Sequence, residues 1–286
     1  MILKMFRRTS FLTNKVINEW DNRIQCFFID LSGTVHVDKE LIPGAINAFE
    51  KLKKTQTKFK FVTNTSKEAV STTVQNLDSL GLQLSKQEVY SSLTATRDYL
   101  IRNNLRPHLL VADEALEEFE GLDTNDPNTV VVGLAPMKFN YKELNECFRI
   151  LMKPENKIVA INKGRYYKTR DGMSLGAGPF VFNLEFATSK EATIVGKPSK
   201  EFFINAMKSV GHEDPSTCVM IGDDVNDDVM GAIEAGMHGC LVKTGKYRPG
   251  DEDKLFSVGG DPEPYPAKER CLVANTLEDA INLLLP

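Results

Sequence analysis

Phe27-Phe28-Ile29-Asp30-Leu31-Ser32-Gly33-Thr34 is the stretch on which the reading of this chain turns. Three apolar residues mark a buried strand, and the strand delivers the carboxylate of Asp30 into a turn that Gly33 loosens. In open α/β sheets, sites collect at the carboxyl ends of strands. Three further segments follow in order. Thr63-Asn64 ends the run Lys60-Phe61-Val62, Lys197 ends Ile194-Val195-Gly196, and Gly222-Asp223-Asp224 ends Cys218-Val219-Met220-Ile221. A nucleophilic carboxylate, a hydroxyl, a cation and a metal-binding acid are the groups that phosphoryl transfer uses.

The rest of the chain alternates apolar strand-like runs with helical periods. A strand is expected over 24–30, then a helix after Pro43-Gly44 with Ala45, Ala48, Phe49 and Leu52 on one face, then a strand over 58–63. A helix over 67–80 has Thr65 and Glu68 at capping-box spacing and ends at Gly81. Strand-like runs recur at Leu109–Val111, Val130–Val132, Ile158–Ile161, Thr193–Val195, Cys218–Ile221 and Cys240–Val242, with helices near 141–152, 199–210, 228–235 and 276–285. Arg248–Lys268, rich in Pro, Gly and charge, reads as a surface loop. Such alternation predicts an α/β fold, a doubly wound, Rossmann-like parallel sheet with helices on both faces. The chemistry-bearing residues lie before 65 and after 196, so the middle of the chain reads as an inserted second α/β domain that covers the strand ends as a cap.

Each candidate has an ordinary structural reading beside the chemical one. Asp30 alone is a turn carboxylate; with its neighbours it is a nucleophile attacking phosphorus. Thr63 and Asn64 would serve as helix caps, but Thr65 and Ser66 are placed to do that, which leaves Thr63 and Asn64 to hold phosphate oxygens. A strand-end Lys is usually solvated. Lys197 precedes Pro198, a good helix opener, so the ammonium and a helix N-terminus point at one place, where an anion fits. Asp223, Asp224, Asp227 and Asp228 would suit a solvated helix start. With Asp30 nearby, a hard divalent cation accounts for them better, with Asp223 as ligand and Asp228 as a supporting acid paired with Lys197.

Bulk properties narrow the alternatives. The chain has 286 residues, 42% hydrophobic and 26% charged, with net charge −4. That is ordinary for a globular protein and lacks the basic footprint of a nucleic-acid binder. No apolar run approaches the ~20 residues of a membrane helix. The five cysteines, Cys26, Cys147, Cys218, Cys240 and Cys271, are scattered without a CxxC pair, so neither zinc nor a disulfide framework is expected. Residues 1–18 carry Lys4, Arg7, Arg8 and Lys15 without an acid. Residues 1–23 are expected to be a flexible extension and the protein cytoplasmic; the alternative is a mitochondrial targeting segment.

Together, Asp30-Leu31-Ser32-Gly33-Thr34, Val62-Thr63-Asn64-Thr65, Gly164-Arg165-Tyr166-Tyr167-Lys168, Val195-Gly196-Lys197-Pro198, Met220-Ile221-Gly222-Asp223-Asp224 and Lys243-Thr244-Gly245-Lys246 resemble the haloacid dehalogenase (HAD) superfamily. The likeness covers roughly 24–286 and is to its NagD-like branch with a class IIA cap. The resemblance implies a core at 24–95 and 187–286 and a cap at 96–186. It implies Asp30, Thr63 and Lys197 as catalytic residues and Asp30, Leu31, Ser32, Thr63, Asn64 and Lys197 around the phosphoryl group. Mg²⁺ would be held by Asp30, the Ser32 carbonyl and Asp223, with Asp224 and Asp228 behind them. The expected activity is a Mg²⁺-dependent phosphatase acting through an aspartyl-phosphate on a small phosphorylated substrate, with a homodimer formed through the cap.

Ser32 departs from the pattern. Most members of the superfamily have Asp there, as general acid and then general base, which is typically worth ~10²–10⁴-fold. Three outcomes stand open. The leaving group needs little protonation from the enzyme, as with pyrophosphate, a phosphoramidate such as a phosphoamino acid, or an aryl phosphate; or His36 or Asp224 substitutes; or turnover is very slow and the protein is a phosphate-ligand binder. The members most like this chain in these segments share the serine, which favours the first.

Overall fold

The computed structural model describes residues 24–55, 57–169, 172–256 and 270–285. The expectations for residues 1–23 lie outside the described residues. In chain order the strands and α-helices are β1 (Cys26–Asp30), β2 (His36–Val37), β3 (Glu40–Leu41), α1 (Ala45–Lys54), β4 (Lys58–Thr63), α2 (Val70–Ser79), β5 (Val89–Ser91), α3 (Ser92–Arg102), β6 (Pro107–Leu110), β7 (Thr129–Val132), α4 (Tyr141–Leu151), β8 (Lys157–Ala160), β9 (Tyr166–Thr169), β10 (Gly172–Leu175), α5 (Gly178–Thr188), β11 (Ala192–Ile194), α6 (Lys200–Ser209), β12 (Cys218–Gly222), α7 (Gly231–Glu234), β13 (His238–Val242), α8 (Asp251–Phe256), β14 (Cys271–Ala274) and α9 (Leu277–Leu284). The fold is the expected parallel-sheet α/β type. Among the described residues, no helix is long and apolar enough to cross a membrane.

Two compact units divide the chain. Among the described residues, the first comprises those up to 61, 80–82 and those from 203 on, the second those of 62–79 and 83–202. In the first, β14, β13, β12, β1 and β4 lie side by side in that order. All five residues of β1 and all five of β12 are buried, as expected of parallel strands covered on both faces. Their register sets Cys26 opposite Cys218 and Ile29 opposite Ile221, so the chain leaves the two strands side by side at Asp30 and Gly222. Helix α1 buries Ala45, Ala48, Phe49 and Leu52, the face read from its period. Phe49, Phe59 and Phe61 pack ring to ring at 5.7–6.0 Å. All five cysteines are buried and free, as small core residues.

The second unit has its own parallel sheet, in the order β11-β8-β7-β6. Its core joins Leu110, Val130, Val132, Ile158 and Ala160 of the sheet to Cys147 and Leu151 of α4 and Val181 and Leu184 of α5. Each fully buried Val, Leu or Ile of this set contributes ~1.5–3 kcal/mol before the entropy of ordering is counted. Asn140 caps α4 by accepting from the Glu143 N–H at 3.2 Å. An antiparallel hairpin, β9–β10, follows β8.

Several local expectations differ from what is found. Helix α2 starts at Val70, without the Thr65–Glu68 box. Glu68, which precedes the helix, instead accepts from Thr73 and Asn76 within it, and the Val70 N–H donates to Glu118 Oε1 at 2.8 Å. Part of the expected loop 248–268 is helix α8, while 257–268 lies outside the described residues. Pro198 does not open the following helix, which starts at Lys200 after a cis Lys197–Pro198 bond.

Candidate active site

In the first unit, β1 ends at Asp30 and the chain turns sharply. The Leu31 carbonyl accepts from the N–H groups of Thr34, Val35 and His36, and the Gly33 N–H donates to the His36 carbonyl at 2.7 Å. Gly33 has φ 102°, in the left-handed region that glycine tolerates, and a methyl group there would overlap the Asp223 carboxylate. So Gly33 is required twice, for its dihedral and for space. Ser32 sits at this turn with its side chain exposed.

At the end of β12 the chain enters a single π-helical turn, Val225–Met230, a form that recurs at functional sites. Asp224 is its N-cap and accepts from the N–H groups of Asn226 and Asp227, each at 3.0 Å. Asp228 Oδ2 reaches back to accept from the Asp224 N–H at 3.1 Å. The turn thus folds Asp228 toward the strand end rather than to the helix exterior. One oxygen each of Asp30, Asp223 and Asp228 lies within 4.8 Å of the others, and all three residues are buried.

Three carboxylates this close and this dry are costly together. Burial, then the charges of Asp30 and Asp228, push the Asp223 carboxyl well above its usual range, against the smaller pull of Lys246. A cation removes that cost, and hard oxygen donors suit a hard divalent ion, so the residues fit one. Asp228, expected only as a supporting acid, belongs to the cluster itself. Its placement depends on the π turn, which spacing alone does not announce.

Asp224 behaves differently. Burial pushes its carboxyl up, but Lys246 at 3.4 Å and the two capping N–H groups outweigh this and hold it below the usual range. It therefore stays ionised near neutral pH and makes a poor proton donor. His36, the other substitute acid, has its Nδ1 2.9 Å from the Asp38 carbonyl in its own hairpin.

In the second unit, the Thr63 hydroxyl donates to Thr65 Oγ1 at 3.0 Å and accepts from the Thr65 N–H at 3.1 Å. Asn64 clamps the Lys197 backbone from both sides: its Oδ1 accepts from the Lys197 N–H and its Nδ2 donates to the Lys197 carbonyl, both at 2.9 Å. The Asn64 side chain is thus occupied in aligning the lysine. Lys197 is buried, with Nζ 3.3 Å from the Val62 carbonyl. Ser66, expected as a helix cap, accepts instead from the Leu134 N–H at 3.1 Å and from Asn162 Nδ2 at 3.3 Å. Asn162 also donates to the Asn64 carbonyl at 3.1 Å, a support that the sequence reading missed because it lies almost a hundred residues away.

A parallel α/β core with an acid cluster at adjacent strand ends defines a class, and comparison with known proteins agrees. Residues 27–125 match the family described as haloacid dehalogenase-like hydrolase, and residues 194–280 match a second, HAD-hydrolase-like family. The chain belongs to the haloacid dehalogenase-like hydrolases and is an enzyme of their phosphatase type. Human haloacid dehalogenase-like hydrolase domain-containing protein 2 is 48% identical over 242 residues, covering 85% of this chain and 91% of that one. Human phospholysine phosphohistidine inorganic pyrophosphate phosphatase is 36% identical over 274 residues, covering 93% and 97%. In fold, the chain is similar to a 4-nitrophenylphosphatase from Thermotoga maritima, with TM-score 0.81 at 24% identity over 94% and 99% of the two chains.

Proposed function

We propose that this chain is a Mg²⁺-dependent phosphatase in which Asp30 attacks phosphorus in line, forms an aspartyl-phosphate and releases it to water. The buried Asp30–Asp223–Asp228 cluster carries this reading. Asp30, the Ser32 carbonyl and Asp223 would hold the ion, with Asp228 beside them; the bound ion would supply charge neutralisation at the phosphoryl oxygens. Lys197 and Thr63 neutralise and orient those oxygens, with Asn64 aligning Lys197. Residues 96–186 act as the cap, which sets the substrate. The exposed rings of Phe182 and Phe186, 6.5 Å apart on α5, support a homodimer through that cap.

Substrate choice follows from Ser32. With a hydroxyl in place of a carboxylate, and with Asp224 held ionised, the leaving group departs without a strong enzymic acid. Pyrophosphate, phosphoramidates including phosphoamino acids, and aryl phosphates meet that condition, and the name of the 36%-identical relative, a phospholysine phosphohistidine inorganic pyrophosphate phosphatase, supports this reading. Assay of pyrophosphate, phospholysine and 4-nitrophenyl phosphate with and without Mg²⁺ tests this. Mg²⁺-dependent release of phosphate is expected. If none is hydrolysed while phosphate ligands still bind, the second reading, a low-turnover phosphate binder motivated by the same Ser32, replaces it.

A further inference from the structure

Lys246 meets Asp224 through its ammonium, and the backbone of its segment, which follows β13, also reaches the acid cluster. Thr244 Oγ1 donates to the Gly33 carbonyl at 2.6 Å, in the turn that follows Asp30. Two residues on, the Lys246 N–H donates to Asp223 Oδ2 at 2.6 Å. Between them Gly245 has φ 55°, and a methyl group there would overlap both the Asp223 carboxylate and the Gly33 backbone. Both flanks are anchored. The Lys243 N–H donates to the Ala274 carbonyl at 3.1 Å, and the Tyr247 N–H closes a turn onto the Thr244 carbonyl at 3.0 Å. Beyond that, the Tyr247 hydroxyl and the Lys243 ammonium both bind Glu252, at 2.6 and 3.0 Å.

We propose that Thr244-Gly245-Lys246 is a positioning strap that fixes the Asp30 turn and the Asp223 carboxylate in the relative placement a divalent cation requires. The physical reason lies in which oxygens are held. With Oδ2 engaged by a backbone N–H, Asp223 cannot rotate freely. The hydroxyl of Thr244 ties the same strap to the turn that carries Asp30. Two ligands on different strands are thereby braced against each other before any ion arrives, and groups that orient metal ligands in this way typically contribute 10–100-fold in affinity. Thr244 is a positioning residue: its hydroxyl binds the Gly33 carbonyl and acts through that turn. The inference rests on the metal reading above.

The test uses the full chain and reads metal binding directly. Isothermal titration with Mg²⁺, and thermal melts with and without it, are run on wild type, Thr244→Val, Thr244→Ala and Thr244→Ser. Thr244→Val keeps the shape and loses the donor; it should weaken Mg²⁺ binding about 10-fold and shrink the Mg²⁺-dependent rise in Tm. Thr244→Ala should do the same, and Thr244→Ser should restore both. The strap is refuted if Thr244→Val and Thr244→Ala bind Mg²⁺ as wild type does, even with a lower metal-free Tm, because a purely structural role lowers stability and leaves the increment unchanged. Absence of Mg²⁺ binding by wild type overturns the metal reading and the strap with it, and shows in wild type alone.

Discussion

At the scale of single residues, Asp30 and Ser32 divide the chemistry between them. Asp30→Asn removes the nucleophile, so turnover should be abolished with the fold retained; single-turnover phosphate release measures it. Ser32→Asp should speed hydrolysis of an alkyl phosphate relative to pyrophosphate, by up to the ~10²–10⁴-fold that general acid–base help provides. An unchanged ratio of the two kcat/KM values would mean that another group already protonates the leaving atom. Asp30 and Asp223 were legible in the sequence because each ends an apolar run that can only be a buried strand. Asp228 was harder to place. On an α-helical start it faces outward or supports its neighbours; the π turn Val225–Met230 swings it into the cluster. Asn64 was read as a phosphate donor, but its side chain binds the backbone of a residue 133 positions away, which no local pattern encodes.

At the scale of elements, the helix ends show what local patterns miss. Thr65 and Glu68 have the right spacing for a box, yet Glu118 supplies the acceptor for the Val70 N–H. Glu118→Ala should therefore cost about 1 kcal/mol, as loss of a cap does, and Glu118→Gln less, both read by denaturant unfolding. The loop-to-helix segment after β13 makes a pH prediction. Burial raises the Glu252 carboxyl, but the Tyr247 hydroxyl, a backbone N–H and Lys243 outweigh it and bring it down to about 2. A carboxyl lowered on folding adds stability that is present above its unfolded pKa and lost as pH falls through the folded value. Glu252→Gln should lower Tm at neutral pH, and the gap to wild type should close toward pH 2. Helix α5 was not legible at all. Its apolar residues fall on every side, with Phe182 and Phe186 exposed, so no 3.6-residue stripe marks it.

At the scale of the molecule, the proposed cap dimer predicts a solution mass twice the 32.0 kDa of the chain by light scattering, reduced toward the monomer by Phe182→Asp together with Phe186→Asp. A monomeric wild type would remove the dimer without touching the site. The sequence by itself determined the α/β class, the order of strands and helices around the motifs, and the identity of Asp30, Lys197 and Asp223 as candidates. These depend on short apolar runs, turn residues and fixed spacings, which are local. Only the tertiary structure decided that Asp228 joins the cluster, that Asn64 serves Lys197, and that Thr244 and Lys246 brace Gly33 and Asp223. Each of these depends on strand register and on loops meeting from distant parts of the chain, and contacts made across such separations leave no periodic trace in the residues that make them.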